Sequence, residues 1–587
     1  MKLQRSPFYA IFVSLVVLLT ACTGNNDPAD PNSVAGGCAP NAVNISIIYA
    51  PESEQYMPQV MADFNTAYRE GRHPVTGASL TGNDVRICIT GEDGSSGTVM
   101  QGIVNAIIAP NNQNVARPTI FEPSVSHWLA LANYQSGRTL FDLNNIRATA
   151  LAPVVMAIWE SRLEAIRQTV GYEDIGWEEL LGVLNSPNGW CDYGIPNCRR
   201  AVYYGHTDPL VSSTALSTLI AEFYASADQA GYDGRLTLQM VRDEDVQDGV
   251  RDIEELIRHY SARTTEFKEY IAQGPEYLDF VALEENDLIY INRGLTEYQP
   301  PEQLVALYPK EGTFWHEHPM GIVQADWTTQ EQRQAAAIFI DYVLTEPVQR
   351  IIMEQGFRPA NPDVALGFPF VEENGIDPNQ PSRVLDVPSA DVIAAVQQNW
   401  SFVKKQADIV LMIDVSGSMQ NEDKIGQAQE AALAFLNAME STNRIELVEF
   451  GSTIQTRVQL GNVESNASRV RQFLNNLRAE GGTELYAAVT QVVSTLNEST
   501  DDNRIRAVVL LSDGADTGSM GYTLADAIQA IEDSRDSLNP VIFIPVAYGS
   551  DADVNALNAM ARASNTRVNS GNAANILDIL ELISSYF

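Results

Sequence analysis

The feature that most constrains this chain is an apolar strand that ends in a polar loop and runs directly into a helix. Residues 407–413 (ADIVLMI) are almost continuously apolar, as in a strand covered on both faces. The loop DVSGSM follows at 414–419, and a helical pattern runs from about residue 423 to 439. A loop so placed sits at the carboxyl end of a strand, where open parallel sheets hold their ligands. Strand–helix alternation continues to Phe587, so residues 405–587 read as one α/β unit. Asp414, Ser416 and Ser418 offer a carboxylate and two hydroxyls from alternate positions. Hard oxygen donors of this kind suit Mg2+, with Mn2+ or Ca2+ as substitutes. Thr483, after a Gly-Gly pair, adds a third hydroxyl. Asp513, after the buried strand at 507–511, adds a second carboxylate.

Together these loops resemble the metal-ion-dependent adhesion site of the von Willebrand factor A domain, across about 180 residues. The resemblance implies a doubly wound, Rossmann-like fold. It also implies that Asp414, Ser416, Ser418, Thr483 and Asp513 form the metal shell, some of them through water. One metal position is then open to a carboxylate from a protein partner. Ser512 stands where the family often has Thr. Helix capping is the plainer use of DxSxS, since Asp and Ser are favoured N-caps. A cap, however, needs neither of the two remote loops. No catalytic residue is assigned, and the protein is expected not to be an enzyme. No His lies close in sequence, and the serines lack the GxSxG elbow of a hydrolase.

The N-terminus points to export. MKLQR is basic, and residues 8–19 are almost wholly apolar. About 12 residues cannot cross a bilayer that needs roughly 20, but they suit the core of a signal peptide. The run ends in LTAC, which resembles a bacterial lipobox. That resemblance implies a signal peptide over 1–21, lipidation of Cys22, palmitate among the acyl chains, and anchoring to the outer face of the cell membrane or the periplasmic side of a two-membrane envelope. Two or more chains anchor stably, where one gives marginal binding. Residues 22–42, rich in Gly, Asn, Asp and Pro, read as a flexible tether.

Cysteine usage agrees with export. Beyond Cys22, an even number remain: Cys38, Cys88, Cys191 and Cys198. Four cysteines allow three connectivities; Cys38–Cys88 and Cys191–Cys198 are favoured. A zinc site competes poorly, because neither pair has CxxC spacing.

Residues 43–385 alternate strands and helices, and 386–404 are read as a linker to the second unit. Several segments here, among them GEDGSSGT at 91–98, PTIFEPSVS at 118–126 and YGHTDP at 204–209, resemble bacterial extracellular solute-binding proteins of the molybdate-binding type. The resemblance implies two α/β lobes closing on a ligand by a hinge. Ser95, Ser96, Ser124, Ser126, Ser213 and Thr214 fall in loops just before expected helices, where hydroxyls and free N–H groups can hold an oxyanion. The same residues also suit caps and turns. Glu284 and Glu285 argue against an anion if they point inward, so the solute class stays open. His316 and His318 lack a third metal ligand in sequence and are expected on the surface. Trp128, Trp159, Trp177 and Trp315 read as core more readily than as a sugar-binding cleft.

Composition sets the outer bounds. With 45% hydrophobic residues the chain can build buried cores, and a formal net charge of −38 disfavours nucleic acid and anionic lipid surfaces as partners. The expectation is an anchored protein that captures a small solute in one unit and a protein partner through a Mg2+-dependent site in the other. A transporter permease is a further candidate partner. The rival expectation is an adhesion or envelope-assembly scaffold whose lobed unit binds no solute.

Overall fold

A computed structural model describes residues 37–587 apart from 112–114, 197, 199–201, 262–263, 499–503, 520, 536–539, 550–551, 565, 567, 573–574 and 585. The expected signal peptide, Cys22 and most of the tether lie outside the described residues. Among the described residues no helix is long and apolar enough to cross a membrane. The described residues fold as α/β, on three sheets.

The first sheet is five-stranded. Val43–Tyr49 lies between Ile87–Asp93 and Ile120–Glu122, parallel to both, and Pro319–Ile322 and Arg147–Ala148 extend the edge antiparallel. Helix Met57–Arg69 covers it with Phe64, which meets Phe339 of helix Gln330–Val343 edge-to-face at 5.1 Å. The second sheet is seven-stranded and built around Ala150–Trp159. Phe280–Glu284 pairs with that strand antiparallel, and Tyr204–Thr207 lies parallel to both Phe280–Glu284 and Ile257–Ser261. Each sheet with its helices makes one lobe. The chain passes between them at Thr149 and returns between Trp315–His316 and Pro319–Ile322. These two crossings touch: the Thr149 hydroxyl donates to the His318 carbonyl at 2.6 Å. Both expected disulfides form, Cys38–Cys88 and Cys191–Cys198, with Cα atoms 5.4 and 5.3 Å apart.

The third sheet runs Ile454–Asn462, Arg444–Phe450, Ala407–Asp414, Ile505–Ser512, Val541–Tyr548, Asn569–Gly571. Every neighbour pair is parallel except the first. Ala407–Asp414, Ile505–Ser512 and Val541–Tyr548 are buried along their whole length, because helices cover both faces. Strand order advances one way from Ala407–Asp414 and the other way from Ile505–Ser512. The switch point, where doubly wound sheets open a crevice, therefore lies between these two strands.

The segment read as a linker is not an open tether. Helix Ala390–Val403 occupies most of 386–404, with Val392, Ile393, Val396, Trp400 and Val403 buried. It packs on helix His127–Ser136 of the first lobe and on Ser213–Gln229 and Glu244–Glu254 of the second. Beyond it the Lys404 ammonium donates to the Phe587 carbonyl at 2.6 Å, and Lys405 Nζ to the Ile257 carbonyl at 3.2 Å. The two units are thus joined by packing and by polar ties.

Candidate metal site and interlobe cleft

At the switch point of the third sheet, Asp414 ends its strand fully buried. Its Oδ1 accepts the Ser416 N–H at 2.8 Å and its Oδ2 the Ser512 hydroxyl at 2.7 Å. The Ser416 and Ser418 hydroxyls are 3.0 Å apart, and Ser418 donates to Asp513 Oδ1 at 2.7 Å. Thr483 joins them from the third loop. A Cβ built on Gly514 would stand 3.6 Å from Ser418 Oγ and 3.8 Å from Thr483 Oγ1, so both hydroxyls face one small space. That loop is locked to the first by the Gly417 N–H donating to the Gly481 carbonyl at 3.0 Å. Gly481 turns with φ +80°, a conformation that other residues adopt only under strain.

The donor set fits a small hard cation. Oxygens placed about 2.1 Å from Mg2+ in an octahedron stand about 3.0 Å from one another, and the measured spacings are 2.7 and 3.0 Å. Burial pushes the Asp414 pKa up, against the hydrogen bonds from Ser416 and Ser512. One participant escaped the sequence reading. Lys424, the first residue of helix Lys424–Ala438, places Nζ 2.8 Å from Asp513 Oδ2 and is itself buried.

Four of the six serine and threonine candidates of the first unit meet between the lobes. Ser95, Ser96, Ser124 and Ser213 line a cavity of about 20 Å3, room for about one water, together with Glu52 and Ser212. Ser96 Oγ accepts the Ser124 N–H at 3.3 Å, and the Ser124 hydroxyl donates to Glu52 Oε2 at 3.2 Å. Trp128 Nε1 donates to Ser213 Oγ at 2.9 Å, which ties the first lobe to the second. Thr214 is buried beside Ser213 but does not line the cavity, and its hydroxyl has no partner. Ser126 is elsewhere. It lines a separate groove of about 820 Å3 with His127 and Glu317. Glu52 was missed in the sequence and is the one ionisable side chain lining the serine cavity. Burial, then the charges of Glu284 and Asp287, push its pKa up to about 8.

His316 and His318 correct the sequence reading: neither is on the surface. Both are fully buried, because they sit where the chain crosses between the lobes and carboxylates from each lobe close over them. His318 Nδ1 lies 3.2 Å from Glu122 Oε1 of the first lobe, and Nε2 lies 3.0 Å from Glu284 Oε2 of the second. His316 bonds Glu284 Oε1 through Nδ1 at 2.7 Å and Ser217 Oγ through Nε2 at 2.9 Å. Against the cost of burial, the two histidines bring the Glu284 pKa down to about 2, while Glu284 and Glu122 raise that of His318 well above the usual range. Glu285 is held by Arg358, Nε to Oε2 at 2.7 Å. Trp128, Trp159 and Trp177 are core residues as expected. Trp315 is half-buried, with the Arg358 guanidinium 5.4 Å from its ring centroid.

Comparison with known proteins bears on the C-terminal unit. Residues 409–515 match the von Willebrand factor type A domain. The C-terminal unit carries that domain. Domains of this type commonly hold a divalent ion at such a site. Inter-alpha-trypsin inhibitor heavy chain H1 of Sus scrofa is 26% identical over 179 residues, 28% of this chain, and the match covers 19% of that protein's length. Among solved structures, a von Willebrand factor type A protein from Catenulispora acidiphila is similar over 31% of this chain and 42% of that one, at 20% identity and TM-score 0.28. A periplasmic thiamin binding protein is similar over 62% of this chain and 99% of that one, at 10% identity and TM-score 0.41.

Proposed function

We propose that this is a lipid-anchored, extracytoplasmic binding protein. In this reading the von Willebrand factor type A domain takes a protein partner through a divalent ion, and the lobed unit takes a small solute; neither site is catalytic. The observation that carries the reading is the gathering of Asp414, Ser416, Ser418 and Asp513 from two separate loops, with Thr483 facing the same space, at the switch point of a doubly wound sheet. When bound, Mg2+ supplies a Lewis-acid position that a carboxylate of the partner fills. The chain's own residues orient the site: Ser512 and the Ser416 N–H fix Asp414, while Lys424 and Ser418 fix Asp513. For the solute, the protonated acid Glu52 among hydroxyls offers hydrogen-bond donors and acceptors without charge, which favours a neutral polar compound over an ion. A cavity of about 20 Å3 must widen, so binding requires the lobes to part.

The test is thermal unfolding with and without Mg2+. At a Mg2+ concentration 100 times its Kd, a single site stabilises the wild-type domain by about 2.7 kcal/mol. Asp414→Ala should lose this increment while the first unit stays folded. A normal Mg2+ response in that variant would place the ion elsewhere. Native mass spectrometry of the purified protein reads the cleft in parallel: a co-purifying small molecule supports solute capture, and metal alone shifts the reading toward adhesion or assembly.

A further inference from the structure

The geometry points to a second divalent-metal site in the lobed unit, a buried centre of one imidazole and two carboxylates from His206, Glu222 and Glu254. One ligand atom from each of the three lies within 4.8 Å of the other two, and it is the one such trio among the described residues. His206 comes from strand Tyr204–Thr207, Glu222 from helix Ser213–Gln229, and Glu254 from the end of helix Glu244–Glu254. His206 is 2% exposed and both glutamates are 0% exposed.

What distinguishes the trio from an ordinary polar cluster is what each residue leaves unmade. His206 Nε2, Glu222 Oε2 and Glu254 Oε1 are all buried without a hydrogen-bond partner. The rest of each side chain is already oriented. His206 Nδ1 lies 2.6 Å from the Thr207 carbonyl, which only accepts, so Nδ1 carries the proton and Nε2 of the neutral ring presents a bare lone pair. The Tyr204 hydroxyl donates to Glu222 Oε1 at 3.3 Å, and the Tyr260 hydroxyl to Glu254 Oε2 at 2.7 Å. Such outer partners are how proteins aim metal ligands. Three lone-pair donors are therefore held close together among the rings of Tyr204, Tyr260 and Trp400. Leaving three buried polar atoms unpaired is costly, because each has given up its water without a replacement. A divalent ion removes that cost and balances the charge, since two carboxylates and a neutral imidazole offset two positive charges. Lys404 does not take this place: its ammonium donates to the Phe587 carbonyl at 2.6 Å. The mixed nitrogen and oxygen donor set suits Zn2+ best, with Mn2+ next. The rival is a proton shared by the two carboxyls, because burial and the charge on Glu254 raise the Glu222 pKa well above the carboxylate range.

The experiment uses the full chain carrying Asp414→Ala, which disables the adhesion-type site. The protein is stripped with a chelator, dialysed against Zn2+, and its bound metal counted by mass spectrometry. The expected result is one Zn2+ per chain and a zinc K-edge spectrum showing one imidazole nitrogen with carboxylate oxygens at about 2.0–2.2 Å. Adding Glu222→Gln and Glu254→Gln keeps the shapes and should abolish the ion. No stoichiometric Zn2+ on the stripped chain overturns the site, as does Zn2+ retained by the folded double-Gln protein. A spectrum with two imidazoles also overturns it, by moving the ion to His316 and His318. If the double-Gln protein does not fold, the imidazole count on the Asp414→Ala chain decides alone.

Discussion

Glu52→Gln isolates one proton at the heart of the cleft. Burial, with Glu284 and Asp287 nearby, raises the Glu52 pKa from 4.5 to about 8. The folded unit therefore holds a proton that the unfolded chain releases. The stability this contributes is complete below pH 4.5 and is lost as pH rises through 8. The full difference is about 5 kcal/mol at 1.36 kcal/mol per pKa unit, and about half of it falls between pH 5 and pH 7. Gln keeps the shape and an acceptor for the Ser124 hydroxyl but cannot ionise. The variant should match wild type within about 1 kcal/mol at pH 5 and exceed it by about 2–3 kcal/mol more at pH 7. Urea unfolding followed by tryptophan fluorescence reads the right unit, because all seven tryptophans precede the strand Ala407–Asp414. Trp128 reports on the cavity itself through its bond to Ser213. If wild type and variant lose equal stability between pH 5 and pH 7, Glu52 does not carry the proton and the electrostatic reading of the cleft is refuted.

Lys424→Gln removes a positive charge that competes with the ion for Asp513, so Mg2+ should bind roughly tenfold tighter by calorimetry, about 1.4 kcal/mol. The same change should lower the melting temperature of the metal-free protein, because Asp513 then lacks its counter-charge. His318→Leu removes the positive charge between Glu122 and Glu284, leaving them their bonds to Ser53 and His316, and should cost about 3–5 kcal/mol in urea unfolding at pH 6, where the imidazolium is present. Trp400→Ala empties a buried ring site against Tyr260 and His206 and should destabilise the lobed unit by about 3–5 kcal/mol, read by the same unfolding curve.

The C-terminal unit was legible because its signals are local. An apolar run ending in DVSGSM states strand, loop and helix within about 30 residues, and the chemistry of Asp414 and Ser416 follows from where that loop sits. Lys424 escaped because its partner Asp513 is 89 positions away and no periodicity marks it. The histidines were misplaced for the same reason. Glu122 is 196 residues from His318, so the acids that bury it cannot be read from HEH. Helix Ala390–Val403 was different: Val392, Ile393, Val396, Trp400 and Val403 recur at helical spacing, a pattern overlooked beside the Pro- and Asn-rich stretch before it. Among the cleft candidates, serines standing before helices were found, but only the tertiary fold separates Ser126 from Ser124, two residues apart and facing different cavities.

Helix Ala390–Val403 touches helix His127–Ser136 on one side of the hinge and Ser213–Gln229 on the other, then runs within three residues into the strand that ends at Asp414. It behaves as a strut pinned to both jaws of a vice. Any parting of the jaws would load this strut, and its far end leads into the backbone that carries Asp414. The helix that both lobes grip is thus only three residues from the strand whose last residue is Asp414.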